Sequence, residues 1–232
     1  MISVCAPYWN DQAGLDRMAE MYWRLYEDLN PQLSICDDGS PEPARIPQVG
    51  RGSPADVVLT RLPRKREPLN PCTPINRAVN ASTRDIIALT KTKLVHDGPV
   101  LHEMLGMLTH EDDYVVAPCY GKGYGPPRIW LAGSDVDYNS RGRLPVPPGA
   151  HFHFLAVFYR SLWVKAGGFD EEYRNLQACD DNDWVWRLHN VGARFKLATG
   201  LVWQERSRTR WNLPHGRHLF LEKWPNAMAV AV

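Results

Sequence analysis

Short apolar runs alternate along this chain with longer segments whose apolar residues recur every three or four positions. Ile2 to Ala6 is the first run, stopped by Pro7, as expected of a buried strand. Leu15, Met18, Met21, Tyr22, Leu25, Tyr26 and Leu29 follow on one helical face, while Asp16, Arg17, Glu20, Arg24 and Glu27 point elsewhere. Pro31 ends that helix, and Leu33 to Cys36 is a second strand closed by a turn-forming Asp-Gly-Ser-Pro run. Strand, helix and strand within about 35 residues make a βαβ unit, whose strands are parallel and whose crossover is right-handed.

A loop rich in Pro and Gly runs from Pro41 to Pro54, and Asp56 to Thr60 reads as a third strand. The basic stretch Arg61 to Arg66 reads as a loop. Thr73 to Ala81 is predicted helical, with Thr73 as its cap and Pro74 in its first turn. Asp85 to Thr90 is a fourth buried strand, Val100 to Leu108 a helix, and Tyr114 to Ala117 another strand. From Cys119 to Gly149 the chain turns to Gly, Pro and polar residues with few candidates for regular structure, and a loop of that length is usually functional or mobile. Phe152 to Phe158 (strand), Ser161 to Ala166 (helix), the Gly167-Gly168-Phe169-Asp170 turn, a helix from about Asp181 to Asn190, and Arg194 to Ala198 (strand) complete the pattern. The sum is an α/β fold in a single domain, with a mainly parallel sheet and helices on both faces. Ligands of such sheets bind beyond the carboxyl ends of the strands, where Asp37 and Asp38 fall.

Composition narrows the function classes only a little. Hydrophobic residues form 44% and charged residues 23% of the 232 residues, an ordinary balance for a globular protein with a substantial core. A net charge of +1 demands neither nucleic acid nor an anionic membrane as a partner. No apolar run approaches the roughly 20 residues that span a bilayer, and Met1 to Pro7 is too interrupted for a signal peptide, so a cytoplasmic location is expected. The five cysteines are odd in number, far apart and without a C-x-x-C pair, which fits neither a disulfide framework nor a zinc ribbon.

Two constellations carry chemistry. Pro7-Tyr8-Trp9-Asn10 follows the first strand and Asp37-Asp38 the second, and adjacent parallel strands bring those ends side by side. A proline or aromatic surface can stack on a flat base, and a carboxylate can accept a hydrogen bond from the imide N–H of uracil. Asp-Asp-Gly-Ser alone is also an ordinary turn sequence; its place in the first βαβ unit gives it weight. The second constellation is Gly167 to Glu172 followed by Cys179-Asp180-Asp181-Asn182-Asp183-Trp184 and Arg187. Capping a helix start explains one acid, or two, but not three. A carboxylate here could remove the proton of an acceptor hydroxyl as it attacks a sugar carbon.

In this order and separation the two constellations resemble the inverting glycosyltransferases of family 2, which have the GT-A fold, and the resemblance covers most of the chain. Ser3 to Asn10 is similar to the family's first strand and turn, and Cys36 to Ser40 to its acidic nucleotide-binding turn. Asn76-Arg77-Ala78-Val79 through Asp85-Ile86-Ile87 resembles the helix and strand that lead to the donor diphosphate. Gly167 to Glu171 and Asp180 to Asp183 resemble the acceptor-side turn and the motif that supplies the catalytic base. The resemblance thus implies a nucleotide-sugar donor, UDP-linked, bound by Pro7, Tyr8, Asn10, Asp37, Asp38, Arg77, Lys91 and Lys93. Asp181 would be the base, with Asp180 the neighbour most easily confused with it. Gly168, Asp183, Trp184 and His153 would meet an acceptor that is a saccharide, a lipid carrier, a protein or a modified nucleic-acid base. Residues 1–97 would form the donor half, and residues 98–232 the acceptor half and C-terminal tail.

One feature departs from the family. After the strand Asp85 to Leu89 the family places an Asp-x-Asp that holds Mg²⁺ or Mn²⁺ against the diphosphate, whereas this chain reads Thr90-Lys91-Thr92-Lys93. The metal-binding His of the C-terminal segment is missing from Val202 to Ser207 as well. Three explanations compete: Lys91 or Lys93, with Arg206, Arg208 or Arg210, neutralises the departing diphosphate; His96, Asp97 or Glu205 rebuilds a displaced metal site; or catalysis is lost and a nucleotide-sugar or glycan-binding module remains. His151 and His153 share one strand face, but no third ligand is visible nearby. A nucleotidyltransferase is a further alternative, yet it would want a Gly-rich basic loop straight after strand one, and Pro7 to Asp11 is not one.

Overall fold

The computed structural model describes residues 1–46, 56–64, 69–122, 155–205 and 213–225. Along the chain the elements are β1 (Ile2–Tyr8), α1 (Gln12–Tyr26), β2 (Gln32–Asp37), β3 (Val57–Arg61), α2 (Cys72–Ala81), β4 (Ile86–Leu89), β5 (Leu94–His96), α3 (Val100–Gly106), β6 (Asp113–Val116), β7 (Cys119–Lys122), β8 (Ala156–Tyr159), α4 (Arg160–Ala166), α5 (Asp180–Asn190), β9 (Arg194–Leu197), β10 (Val202–Glu205) and α6 (Arg217–Lys223).

Seven strands form one sheet in the order β3-β2-β1-β4-β8-β6-β9. Every pairing is parallel except those of β8, which runs antiparallel to both β4 and β6. Strands covered on both faces explain the unalternating apolar runs. On one face Val4, Ala6, Ile35 and Val157 pack against Leu15, Met18 and Tyr22 of α1 and Leu101 and Met104 of α3. On the other, Cys5, Cys36, Ile87 and Phe158 pack against Ile75 and Val79 of α2, Leu162 and Trp163 of α4, and Val185 and Leu188 of α5. All five cysteines are free thiols, four of them buried. Among the described residues no helix is long and apolar enough to cross a membrane.

Several expectations change in detail. β1 does not stop at Pro7 but runs on to Tyr8 beside Asp37. Its pairing with β4 already ends at Cys5, so the missing Pro7 N–H falls where β1 has no neighbour on that side. Thr73 is not the cap of α2, which starts at Cys72. Instead the Asn70 side chain accepts from the Cys72 N–H (3.2 Å), and the Thr73 hydroxyl donates to Glu171 (3.1 Å). A second, three-stranded sheet in the order β5-β10-β7 was not foreseen, and neither was α6. β7 lies within the segment read as irregular. The rest of that segment, and the start of the strand expected from Phe152, fall outside the described residues.

Candidate active site

β1, β2 and β4 all point their carboxyl ends to the same edge of the sheet. There the Asp38 N–H donates to the Tyr8 carbonyl at 2.9 Å and joins the first two strand ends. Asp37 is consumed in building the turn that follows. Its carboxylate accepts from the Ser40 N–H (2.8 Å) and the Ala44 N–H (3.1 Å) and faces Arg61 at 3.6 Å. Arg61 in turn donates to the Ser40 carbonyl at 2.7 Å, and the Asn10 N–H donates to the Ser40 hydroxyl at 2.9 Å. The Asp37 carboxylate, expected to bind donor, is thus engaged in the turn that follows β2. The Tyr8 side chain, also expected at the donor, is buried in the cluster that packs on α1. Pro7 stays half-exposed, Asn10 and Arg77 are exposed, and Asp38 is buried beside the strand ends.

β4 hands over to a tight turn, closed by the Leu94 N–H donating to the Lys91 carbonyl at 3.1 Å, that leads into β5. The two lysines of this turn part company. Lys93 reaches Asp11, the cap of α1, at 3.8 Å. Lys91, half-buried, faces the acids at the start of α5: burial lowers the pKa of its ammonium, and the charges of Asp181 and Asp180 oppose that fall.

At α5 the three acids separate into two roles. Asp183 is fully buried, paired with Arg187 (2.6 Å) and accepting from Trp224 Nε1 (2.7 Å), and the same Arg187 reaches Asp170 at 2.6 Å. Trp184 lies in the core, its Nε1 donating to the Tyr114 hydroxyl at 3.1 Å. Neither residue can meet an acceptor, contrary to expectation, because each is spent on packing and internal pairing. Gly168 has a φ of +72°, and a Cβ there would stand 2.9 Å from Trp163, so the packed turn requires a glycine at this position. Asp180 and Asp181 remain, both largely buried and adjacent. Burial first, then the neighbouring Asp181 charge, pushes the Asp180 carboxyl up to about 6, while Asn70 and Lys91 hold it down.

The start of α5 is held in an unusual way. Ala178 and Cys179 both adopt left-handed backbone, with φ of 62° and 69°, which non-glycine residues disfavour. The C-terminal segment straps them: Gln177 N–H donates to the Pro214 carbonyl (2.7 Å) and Gly216 N–H to the Gln177 carbonyl (2.8 Å). Asn76 of α2 clamps Phe169 by donating to its carbonyl (2.8 Å) and accepting from its N–H (2.9 Å). Asn70 and the strap did not stand out in the sequence, although Asn70-Pro71 is a turn signal just ahead of a helix, and Asn76 was expected on the donor side and not as this clamp.

A divalent ion fits these residues poorly. The turn after β4 offers hydroxyls and an ammonium, and among the described residues no three His, Cys, Asp or Glu side chains group as metal ligands would. His96 is not available, since Nδ1 lies 2.6 Å from the Tyr26 hydroxyl and Nε2 3.3 Å from that of Tyr22; burial drops its pKa to about 3. Those tyrosines lie far along α1, on the order of 16–23 Å of helix from Asp11. Asp97 is exposed at the end of β5, and the Glu205 side chain and His153 lie outside what is described, as do Arg206, Arg208 and Arg210.

No protein-family model matches the chain, and no curated protein matches it in sequence. Solved structures do match in shape. S. aureus TarS 1-349 in complex with UDP-GlcNAc aligns with a TM-score of 0.67 at 10% identity, over 90% of this chain and 59% of that one. Mannosyltransferase PcManGT from Pyrobaculum calidifontis, in complex with GDP-Man and Mn²⁺, aligns with a TM-score of 0.60 at 14% identity, over 89% and 57%. The fold is of the GT-A type. At these identities the likeness concerns the fold, and the chain spans about three fifths of the length of these structures.

Proposed function

We propose that this protein transfers a sugar from a nucleotide-sugar donor, UDP-linked, to an acceptor hydroxyl with inversion at the sugar carbon. The observation that carries this reading is the buried Asp180–Asp181 pair at the start of α5, set facing Lys91 beyond the carboxyl end of β4. It supports a cleft with the donor over the ends of β1, β2 and β4, within residues 1–97, and the acceptor on the side of residues 98–232. Solved structures of the same fold hold UDP-GlcNAc and GDP-Man, which supports a nucleotide sugar as co-substrate.

A buried carboxyl beside a second carboxyl is a setting suited to acid–base work. Burial and the Asp181 charge raise the Asp180 carboxyl to about 6, and Asp181, its neighbour in the same acidic run, is assigned as the base. The acceptor hydroxyl gives its proton to Asp181 as its oxygen bonds to the sugar carbon. The bond from that carbon to the diphosphate breaks on the opposite face, and the electron pair leaves with the nucleoside diphosphate. Inversion follows from this in-line displacement.

Asp181→Asn keeps shape and removes the base. With UDP-GlcNAc and GDP-mannose as trial donors, the variant is expected to lose transfer by at least ~100-fold while donor binding, measured by calorimetry, survives. Turnover equal to that of the unaltered protein would overturn the assignment. The turn Thr90-Lys91-Thr92 is the observation that favours a second reading, a catalytically silent binding module, and that reading expects donor binding with no release of nucleoside diphosphate from any donor.

A further inference from the structure

The turn after β4 has the wrong chemistry for a metal and a suitable one for an anion. We propose that Lys91 supplies the positive charge that holds the donor diphosphate and receives it as it leaves, so that this protein binds and cleaves its donor without a divalent cation. The proposal rests on the nucleotide-sugar reading above and names the cation of that same site.

Position is the first argument. The Thr90 N–H still donates to the Cys5 carbonyl at 3.0 Å, so Lys91 is the first residue past the paired part of β4. It stands one strand away from β1, whose end is tied to Asp38, and faces the acid pair of α5. A diphosphate reaching from the Asp38 side toward Asp181 passes this point.

Two neighbouring cations among the described residues are committed elsewhere. Lys93 is paired with Asp11, and Arg61 is bound to the Ser40 carbonyl and to Asp37. Charge is the third argument. A divalent ion needs carboxylate oxygens, and those of Asp180 and Asp181 already face an ammonium that sits in the same negative field. An ammonium carries three N–H donors, so Lys91 can bond a carboxylate and still donate to a phosphate oxygen. When the bond from sugar to diphosphate breaks, the electron pair stays on the diphosphate oxygen. Lys91 stabilises that charge by hydrogen bonding and keeps its own proton.

The test uses the full chain and UDP as the probe, with calorimetry in EDTA and again in millimolar Mn²⁺. Expected is UDP binding of equal affinity, within about 2-fold, in both conditions. Lys91→Ala is expected to weaken it by about 10- to 100-fold, the loss of one charge-assisted hydrogen bond, and Lys91→Arg to retain most of it. Binding that tightens ~10-fold or more with Mn²⁺, or a Lys91→Ala variant as tight as the unaltered protein, would overturn the proposal and leave the donor reading standing. No binding of UDP or GDP in either condition would overturn both. The EDTA comparison needs no variant, so it decides even if Lys91→Ala fails to fold.

Discussion

Asp180 and Asp181 differ by one position, yet their surroundings give them different tasks, and the difference can be measured. The Asp180 carboxyl is raised to about 6 by burial and by Asp181, with Lys91, the Asn70 amide and the thiols of Cys72 and Cys179 as its other neighbours. A carboxyl whose pKa is higher folded than unfolded favours folding only while protonated. Stability therefore falls as pH rises from about 4 through about 6, and the penalty persists at neutral pH. Asp180→Asn removes the ionisation while keeping the shape. It is expected to raise the melting temperature by about 2–4 °C at pH 7, roughly 1 kcal/mol, and to give no gain at pH 4. An equal gain at both pH values would mean that packing, not charge, is relieved. At this scale the sequence marks the acids but not their roles. Asp181 and Asp183 sit two apart in an identical-looking run, and only the arrival of Arg187 and Trp224 makes Asp183 structural. The same holds for Asp37 and Asp38, where Ser40, Ala44 and Arg61 claim the first.

Among the elements, α5 depends most on segments distant in sequence. Its entry is left-handed at Ala178 and Cys179, and Gly216 closes over it. Gly216 has an ordinary φ of −74°, so backbone freedom is not why glycine stands there. Contact is the reason: a Cβ would lie 2.6 Å from the Ala178 carbonyl oxygen, a backbone atom that cannot swing aside. Gly216→Ala is expected to destabilise the protein by about 1–3 kcal/mol, visible as a lower urea midpoint, and to lower transfer even at temperatures where the variant is folded. Ala178→Gly, which relieves a left-handed alanine, should leave stability unchanged or raise it by up to ~1 kcal/mol. A harmless Gly216→Ala would show that the strap does not set the start of α5. Long periodic or continuous apolar segments such as α1 and β1 were legible in the sequence to within a few residues. β5, β7 and β10 were not, because strands of three or four residues leave too short a pattern and exist only through their pairing with one another.

At the scale of the whole molecule the question is whether residues 1–97 and 98–232, the proposed donor and acceptor halves, fold as one body, and the seam between them bears on it. β4 meets β8 across that seam in antiparallel register, a direction that no buried apolar run reveals by itself. Arg160, at the start of α4, reaches back over it. Its guanidinium donates to the Arg84 carbonyl (2.8 and 3.0 Å), the Val79 carbonyl (3.0 Å) and the Ser82 hydroxyl (2.7 Å), closing the end of α2. A planar fork makes these bonds together; a lysine has no such geometry, so Arg160→Lys is not a conservative change here. Arg160→Met keeps much of the bulk but removes all four bonds, leaving the Val79 carbonyl only Ser82, and is expected to lower stability by about 2–4 kcal/mol. If the halves are one cooperative unit, tryptophan fluorescence and far-ultraviolet circular dichroism report a single coincident urea transition in the unaltered protein. In Arg160→Met that transition moves to lower urea with an unchanged slope. Two separated transitions in the variant would mean that residues 1–97 and 98–232 are distinct folding units joined by this arginine, and that the cleft between them is held by the seam and not by a common core.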